Sequence, residues 1–182
     1  MCVKTYYNFL QIRDDILDLI LSFTFQKIWL IISVYVENKY HVTGLYSFKM
    51  LSSVFGKQYK LQSSENFDDF MKALGVGIMT RKMGSSVSPV IELTENNGVY
   101  TLKTTSAFKN SEIKFKLGEE FDEETADGRK VKCVCTLDGN KLIQVQKGEK
   151  ETTIEREFTP TEMKAIMKVD DIVCTRVYKV QE

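Results

Sequence analysis

The chain has 182 residues, 43% hydrophobic and 27% charged, which suits one folded domain with a sizeable core, alone or with an appendage, and excludes disordered and fibrous classes. Lys and Arg number 25 and Asp and Glu number 25, so no charge excess points to nucleic acid or to an acidic solvating tail. Two prolines exclude Pro-rich linkers, and four cysteines without a C-x-x-C pair suggest a reducing compartment.

Residues 1–49 stand apart. They hold no Ala, no Pro and one Gly (Gly44), yet carry 10 of the 20 aromatics, the only Trp and the only His, His41. Such a shift marks a boundary, giving an atypical N-terminal extension over 1–49 and a second domain over 50–182. The densest apolar stretch, Ile16 to Val36, is interrupted by Asp18, Gln26 and Lys27, and its clean run from Ile28 is too short to span a bilayer. Asp14, Asp15 and Asp18 spoil the basic start that a secretory signal needs. A membrane-surface helix anchored by Trp29 and Tyr35 is the functional alternative to an appended, poorly specified segment.

A first strand is expected from Lys57 to Leu61. Asn66 then offers an N-cap, Asp68 and Asp69 a first turn, Lys72 a last turn and Gly75 a stop. Phe67, Phe70, Met71 and Leu74 recur at helical spacing as one apolar stripe, which serves packing on a rim whatever else it does. A second short helix is expected from Ile78 to Met83, ending at Gly84. From residue 89 onward, Asn97-Gly98, Asp127-Gly128, Asp138-Gly139 and Lys147-Gly148 separate runs of strand length, as in an antiparallel meander. Val99 to Thr104, Ile113 to Leu117 and Val131 to Cys133 alternate apolar and polar, whereas Leu142 to Gln146 breaks the pattern with polar groups expected on both faces. Strands of this spacing close into a barrel, which removes exposed edges, and the two helices would cover its open end. Cys133 and Cys135 share one strand face and are poorly placed to bridge each other; they read as small apolar residues.

Several long motifs occur in one order: Tyr59-Lys60-Leu61, then Glu65 through Gly77 (ENFDDFMKALGVG), Phe108-Lys109-Asn110, Phe115 through Glu123 (FKLGEEFDE), Ala126 through Lys132 (ADGRKVK) and Cys174 through Lys179 (CTRVYK). Over about Val54 to Glu182 the chain resembles the intracellular fatty-acid-binding proteins of the calycin superfamily, especially invertebrate and muscle-type members. The resemblance implies an all-β fold, a ten-stranded antiparallel up-and-down β-barrel (β-clam) with a helix-turn-helix lid between the first two strands. It also implies a cytoplasmic, monomeric, non-catalytic carrier whose water-containing cavity holds a long-chain fatty acid or related carboxylate lipid, without cofactor or metal. Family members begin near Met50, so 1–49 is expected to be a gene-model or alternative-start artefact, or a loosely docked appendage.

By the same resemblance, Arg156, Arg176 and Tyr178 bind the ligand carboxylate. Arg176 and Tyr178 fall on one strand face, and a guanidinium pair with a phenol offers charged and neutral donors to an anion. Two buried arginines without a partner would cost several kcal/mol each, so an anion or ordered water must complete the site. Phe67, Met71 and Leu74 on the lid, with Thr104, Phe108 and Lys109 at the portal, would contact or gate the chain, and Pro89, Ala126, Asp127 and Met167 would line the wall. Lys72, Arg81 and Lys82 could place positive charge around the portal for transient membrane contact, or be merely solvated.

An enzyme is the first competing function. Residues 50–182 contain no histidine, which excludes Ser-His, Cys-His and His-metal mechanisms there, and the carboxylates from Glu119 to Glu124 read as solvated surface charge. A secreted lipocalin-like carrier would be expected to show a signal peptide and disulfides. Within the family, a retinoic-acid-binding (retinoid) carrier is the alternative, since two arginines and a tyrosine suit any carboxylate and disfavour a retinol alcohol.

Overall fold

The computed structural model describes residues 51–181. The expected extension over 1–49, with its alternative membrane helix from Ile16 to Val36, lies outside the described residues, as do Cys2 and His41. Ten strands and two helices follow in chain order. They are β1 (Gln58–Glu65), α1 (Phe67–Ala73), α2 (Ile78–Ser86), β2 (Val90–Asn96), β3 (Val99–Thr105), β4 (Ser111–Phe115), β5 (Glu120–Glu124), β6 (Lys130–Asp138), β7 (Lys141–Lys147), β8 (Thr152–Phe158), β9 (Glu162–Val169) and β10 (Ile172–Val180).

All strands pair antiparallel in the order β4-β3-β2-β1-β10-β9-β8-β7-β6-β5, so sheet neighbours are chain neighbours except where β1 meets β10. The turn residues explain why the meander forms. Between β2 and β3, Asn97 and Gly98 both take positive φ (50° and 81°), as the tight hairpin turn that matches strand twist requires. Closure is incomplete: β4 and β5 end the sheet without laddering to each other. That seam is filled by side chains, with Phe115 stacked on Phe121 at 5.6 Å and on Tyr100 at 5.7 Å. The expectation of a barrel without edges is corrected here, because Gly118 and the turn from Phe115 to Glu120 carry the chain across the gap without a ladder.

Three local expectations also change. Asn66 precedes α1 with φ 57° and makes no side-chain cap; its Nδ2 donates instead to the Val173 carbonyl at 3.1 Å, tying the lid to the start of β10. Gly84 does not stop α2, which runs on to Ser86. A Cβ at Gly84 would lie 3.4 Å from Met71 Sδ, so the bare backbone lets α2 lie close on α1. In β7, Leu142, Gln144 and Gln146 are buried while Ile143 and Val145 are half-exposed, so the glutamines share the inner face alone.

The inward faces divide into two clusters. Tyr59, Ile91, Leu93, Tyr100, Leu102, Phe115, Leu142, Phe158, Met163 and Tyr178 belong to the larger apolar core. Phe70, Met71, Val76, Val169 and Cys174 form a second cluster, which joins α1 to β9 and β10. Each fully buried Leu or Phe side chain contributes about 1.5–3 kcal/mol, enough to fix strand register face by face. Among the described residues no helix is long and apolar enough to cross a membrane.

Candidate functional site

Register brings the site together. On the inner face, Arg156 of β8 pairs with Ala165 of β9, and Ala165 pairs with Arg176 of β10. The two arginines are therefore two strands apart, about 10 Å at ordinary strand spacing, with a buried alanine leaving room between them. Thr159 sets this register: its amide donates to the Glu162 carbonyl at 2.8 Å and its Oγ1 accepts from the Glu162 amide at 2.9 Å.

Arg176 is 8% exposed, and its Nε has no hydrogen-bond partner among the described residues. Its guanidinium lies 4.0 Å from the centre of the Phe67 ring on the lid and 5.7 Å from that of Tyr178. Cation–π contact softens the burial but leaves a donor unmade, and an unsatisfied buried donor carries its full desolvation cost. Burial holds the Tyr178 hydroxyl in its neutral form by pushing its pKa up, against the opposing pull of Arg176 and Arg156. Burial also pulls the Arg156 pKa down, while Cys135, Glu123 and Tyr178 oppose it. The remaining accessible surface of Arg156 faces a cavity of about 220 Å³.

That cavity receives the sequence-predicted residues as follows. Phe67, Met71 and Leu74 line it from α1 and the turn after it; Pro89, Thr104, Phe108 and Lys109 line it from the segment before β2, from β3 and from the loop after β3. Ala126, Asp127, Met167, Arg156 and Arg176 also border it, whereas Tyr178 sits just behind Arg176, buried in the apolar core. Ala126 and Asp127 sit at the rim, on the turn after β5. Burial raises the Asp127 pKa, but hydrogen bonds from Arg129 and Thr125 and the Arg129 charge outweigh it and hold the carboxyl below its usual range. Lys109 Nζ reaches Glu124 Oε1 at 3.4 Å and the Thr125 carbonyl at 3.3 Å, joining the β3–β4 loop to the β5–β6 turn.

Sequence reasoning missed the polar heart of the wall. Glu123, assigned to a solvated run, points inward, and its Oε2 accepts from Gln144 Nε2 at 2.6 Å, Gln146 Nε2 at 3.0 Å and the Cys133 thiol at 2.9 Å. Gln144 Oε1 in turn accepts from Arg156 Nη1 at 2.8 Å. The signal was alternation itself: Glu123 lies two residues after Phe121, and Gln144 two after Leu142, so both share an apolar residue's face. Cys133 and Cys135 are buried free thiols, as expected of them. Burial raises the Cys135 pKa to about 12, so it is no nucleophile near neutral pH. The portal charge expected at Arg81 is likewise engaged, since its Nε donates to Asp68 Oδ1 at 3.0 Å and its Nη1 to the Val76 carbonyl at 2.9 Å.

A ten-stranded, nearly closed barrel with a helical lid and a paired-arginine cavity defines a class, and sequence comparison agrees with it. Residues 56–181 match the Lipocalin / cytosolic fatty-acid binding protein family. The muscle fatty acid-binding protein of Schistocerca gregaria is 51% identical over 134 residues, covering 72% of this chain and 100% of that protein. The solved fatty acid-binding protein from Drosophila melanogaster brain tissue is 60% identical with a TM-score of 0.67, covering 69% of this chain and 98% of that one. A Schistosoma mansoni fatty acid binding protein, solved with arachidonic acid, is 41% identical with a TM-score of 0.70, covering 73% and 99%. The chain belongs to the lipocalin and cytosolic fatty-acid binding protein family.

Proposed function

We propose that this protein is a non-catalytic cytoplasmic carrier that holds one long-chain fatty acid in its barrel. The carboxylate would sit against Arg176 and Tyr178, with Arg156 adding its field, and the chain would lie along Met71, Leu74, Phe108 and Met167. The observation that carries this reading is Arg176, an eight-percent-exposed cation that lines the cavity and whose Nε has no partner among the described residues. An anion supplies what that donor lacks, and each buried methylene of the tail adds up to about 0.8 kcal/mol. The free cavity falls below the roughly 300–1,000 Å³ of drug-sized sites, so Phe67 and its lid neighbours swing aside as the chain enters. The names of the relatives support a fatty acid, and retinoic acid serves as the competing probe. Exposed Ile78, Met79 and Met83 on α2, beside exposed Lys82, support transient membrane contact through the lid. Residues 1–49 take no part in binding on this reading, so a chain begun at Met50 should bind palmitate as tightly.

The test is a displacement titration of palmitate, hexadecanol and retinoic acid against the unchanged protein and Arg176→Gln. Palmitate affinity should fall by about tenfold to a hundredfold, the worth of a charge-assisted hydrogen bond, with hexadecanol nearly unchanged. Equal losses for acid and alcohol would refute the carboxylate role, and tighter binding of retinoic acid than palmitate would refute the ligand class.

A further inference from the structure

Away from the rim, the charged residues lining the cavity are one acid, Glu123, and two cations, Arg156 and Arg176, and the acid is committed to only one of them. Glu123 Oε2 is fixed by three donors, from Gln144, Gln146 and Cys133. Gln144 spans from Glu123 to Arg156, at 2.6 Å and 2.8 Å. A primary amide between a guanidinium and a carboxylate satisfies both in one orientation only, oxygen toward the cation and nitrogen toward the anion. The side chains thus form a polarised relay, and Glu123 helps keep Arg156 charged against its burial. Arg176 has no such counter-group; its neighbours are two aromatic rings and its Nε is unpartnered among the described residues. The other charged residues lining the cavity pair off at the rim, Arg129 with Asp127 at 2.6 Å and Lys109 with Glu124 at 3.4 Å. Two guanidinium groups against one carboxylate leave a single unmatched positive charge.

We propose that Glu123 is a specificity-determining residue, which neutralises Arg156 through Gln144, leaves Arg176 as the one unmatched cation and tunes the cavity to lipids carrying a single negative charge. This rests on the carboxylate reading above. A neutral lipid leaves Arg176 unpaired, while a dianion brings more charge than the wall can match. Removing Glu123 shifts that balance by one unit, and removing Arg156 shifts it back.

The experiment measures displacement of palmitate, hexadecanol and hexadecyl phosphate at pH 8, where the phosphate is a dianion. Glu123→Gln should raise the preference for palmitate over hexadecanol by about tenfold, as one added charge at cavity distances predicts, and raise that for hexadecyl phosphate further. Arg156→Gln should lower the palmitate preference by a similar factor. The double variant should return to within about threefold of the unchanged protein, and Glu123→Asp should stay there as well. An unchanged or lowered preference in Glu123→Gln overturns the proposal. So does a double variant that stays as low as Arg156→Gln, because Arg156 then binds the carboxylate directly. That comparison alone decides the matter if Glu123→Gln does not fold. Failure of the underlying reading is separate, since Arg176→Gln would then weaken acid and alcohol alike.

Discussion

The same strands build two regions that obey opposite rules. In the core, β7, β8 and β10 contribute Leu142, Phe158 and Tyr178, packed beside Tyr59 and Met163. Two residues further along the same faces stand Gln144, Arg156 and Arg176, of which the two arginines line the cavity and the buried Gln144 backs Arg156. Tyr59 and Phe158 meet edge-on at 5.6 Å and the Tyr59 hydroxyl donates to the Thr159 carbonyl at 2.8 Å, so even the polar atom there is satisfied. At the wall, Arg176 Nε has no partner among the described residues, and neither does the buried Thr152 Oγ1 at the start of β8. Stability is thus concentrated in one region and deferred in the other, where folding accepts unmet donors that a ligand can meet.

If that division holds, the largest effect on stability comes from the core. Leu142→Ala removes a side chain with no exposure, and denaturant unfolding should show a loss of about 2–5 kcal/mol. Arg176→Gln, by contrast, should leave the unfolding midpoint level or higher while binding falls. Equal destabilisation by both would erase the distinction. Ala165→Leu tests the border. It fills the space between the arginines, and overpacking should cost about 1–3 kcal/mol together with a clear loss of palmitate affinity by calorimetry.

Alkaline titration sharpens the contrast by a smaller margin. Burial raises the Tyr59 pKa from 10.0 to about 12. A group whose folded pKa is raised contributes stability that is fully present below its unfolded pKa, so the Tyr59 share should be intact to pH 10 and be lost as pH rises toward 12, after the buried thiols of Cys135 and Cys174, raised from 9.0, have begun to lose theirs. Tyr59→Phe should make the fall above pH 10 shallower, at the cost of the bond to Thr159, while Tyr100 and Tyr178 keep their shares. The smallest effect belongs outside both regions. Lys72 and Lys82 are exposed, and changing both to Glu should slow transfer to anionic vesicles by a few-fold while leaving equilibrium binding intact. Unchanged rates would confine the lid to gating.

Most of the fold was legible because its signals are local. Asn97-Gly98 marks a hairpin, and the Phe67, Phe70, Met71, Leu74 stripe marks a helix face, without reference to anything distant. The two arginines were found through a family motif, not through alternation, which alone would have left them solvated. Glu123 was lost for a related reason. A carboxylate in the run from Glu119 to Glu124 looks solvated until the partners that stabilise it inside, Gln144 and Gln146, are seen 21 and 23 residues away. Asn66 and Gly84 failed differently. Each residue type suits a helix end, but a tie to β10 and close helix packing decided what it does.

The seam between β4 and β5 has a consequence for the protein in crowded solution. Two strands present unpaired backbone groups, the kind of edge on which another chain can add and begin an aggregate. Here the edges are short, five residues each, and studded with charge: Glu112 and Lys114 on β4, and Glu120, Asp122 and Glu124 on β5, all exposed. An approaching strand would have to strip water from these groups, and a second copy of β5 would face its own negative charge. The gap therefore leaves the backbone ladder unclosed along one line without making it adhesive, so concentrated solutions should stay free of edge-to-edge polymers.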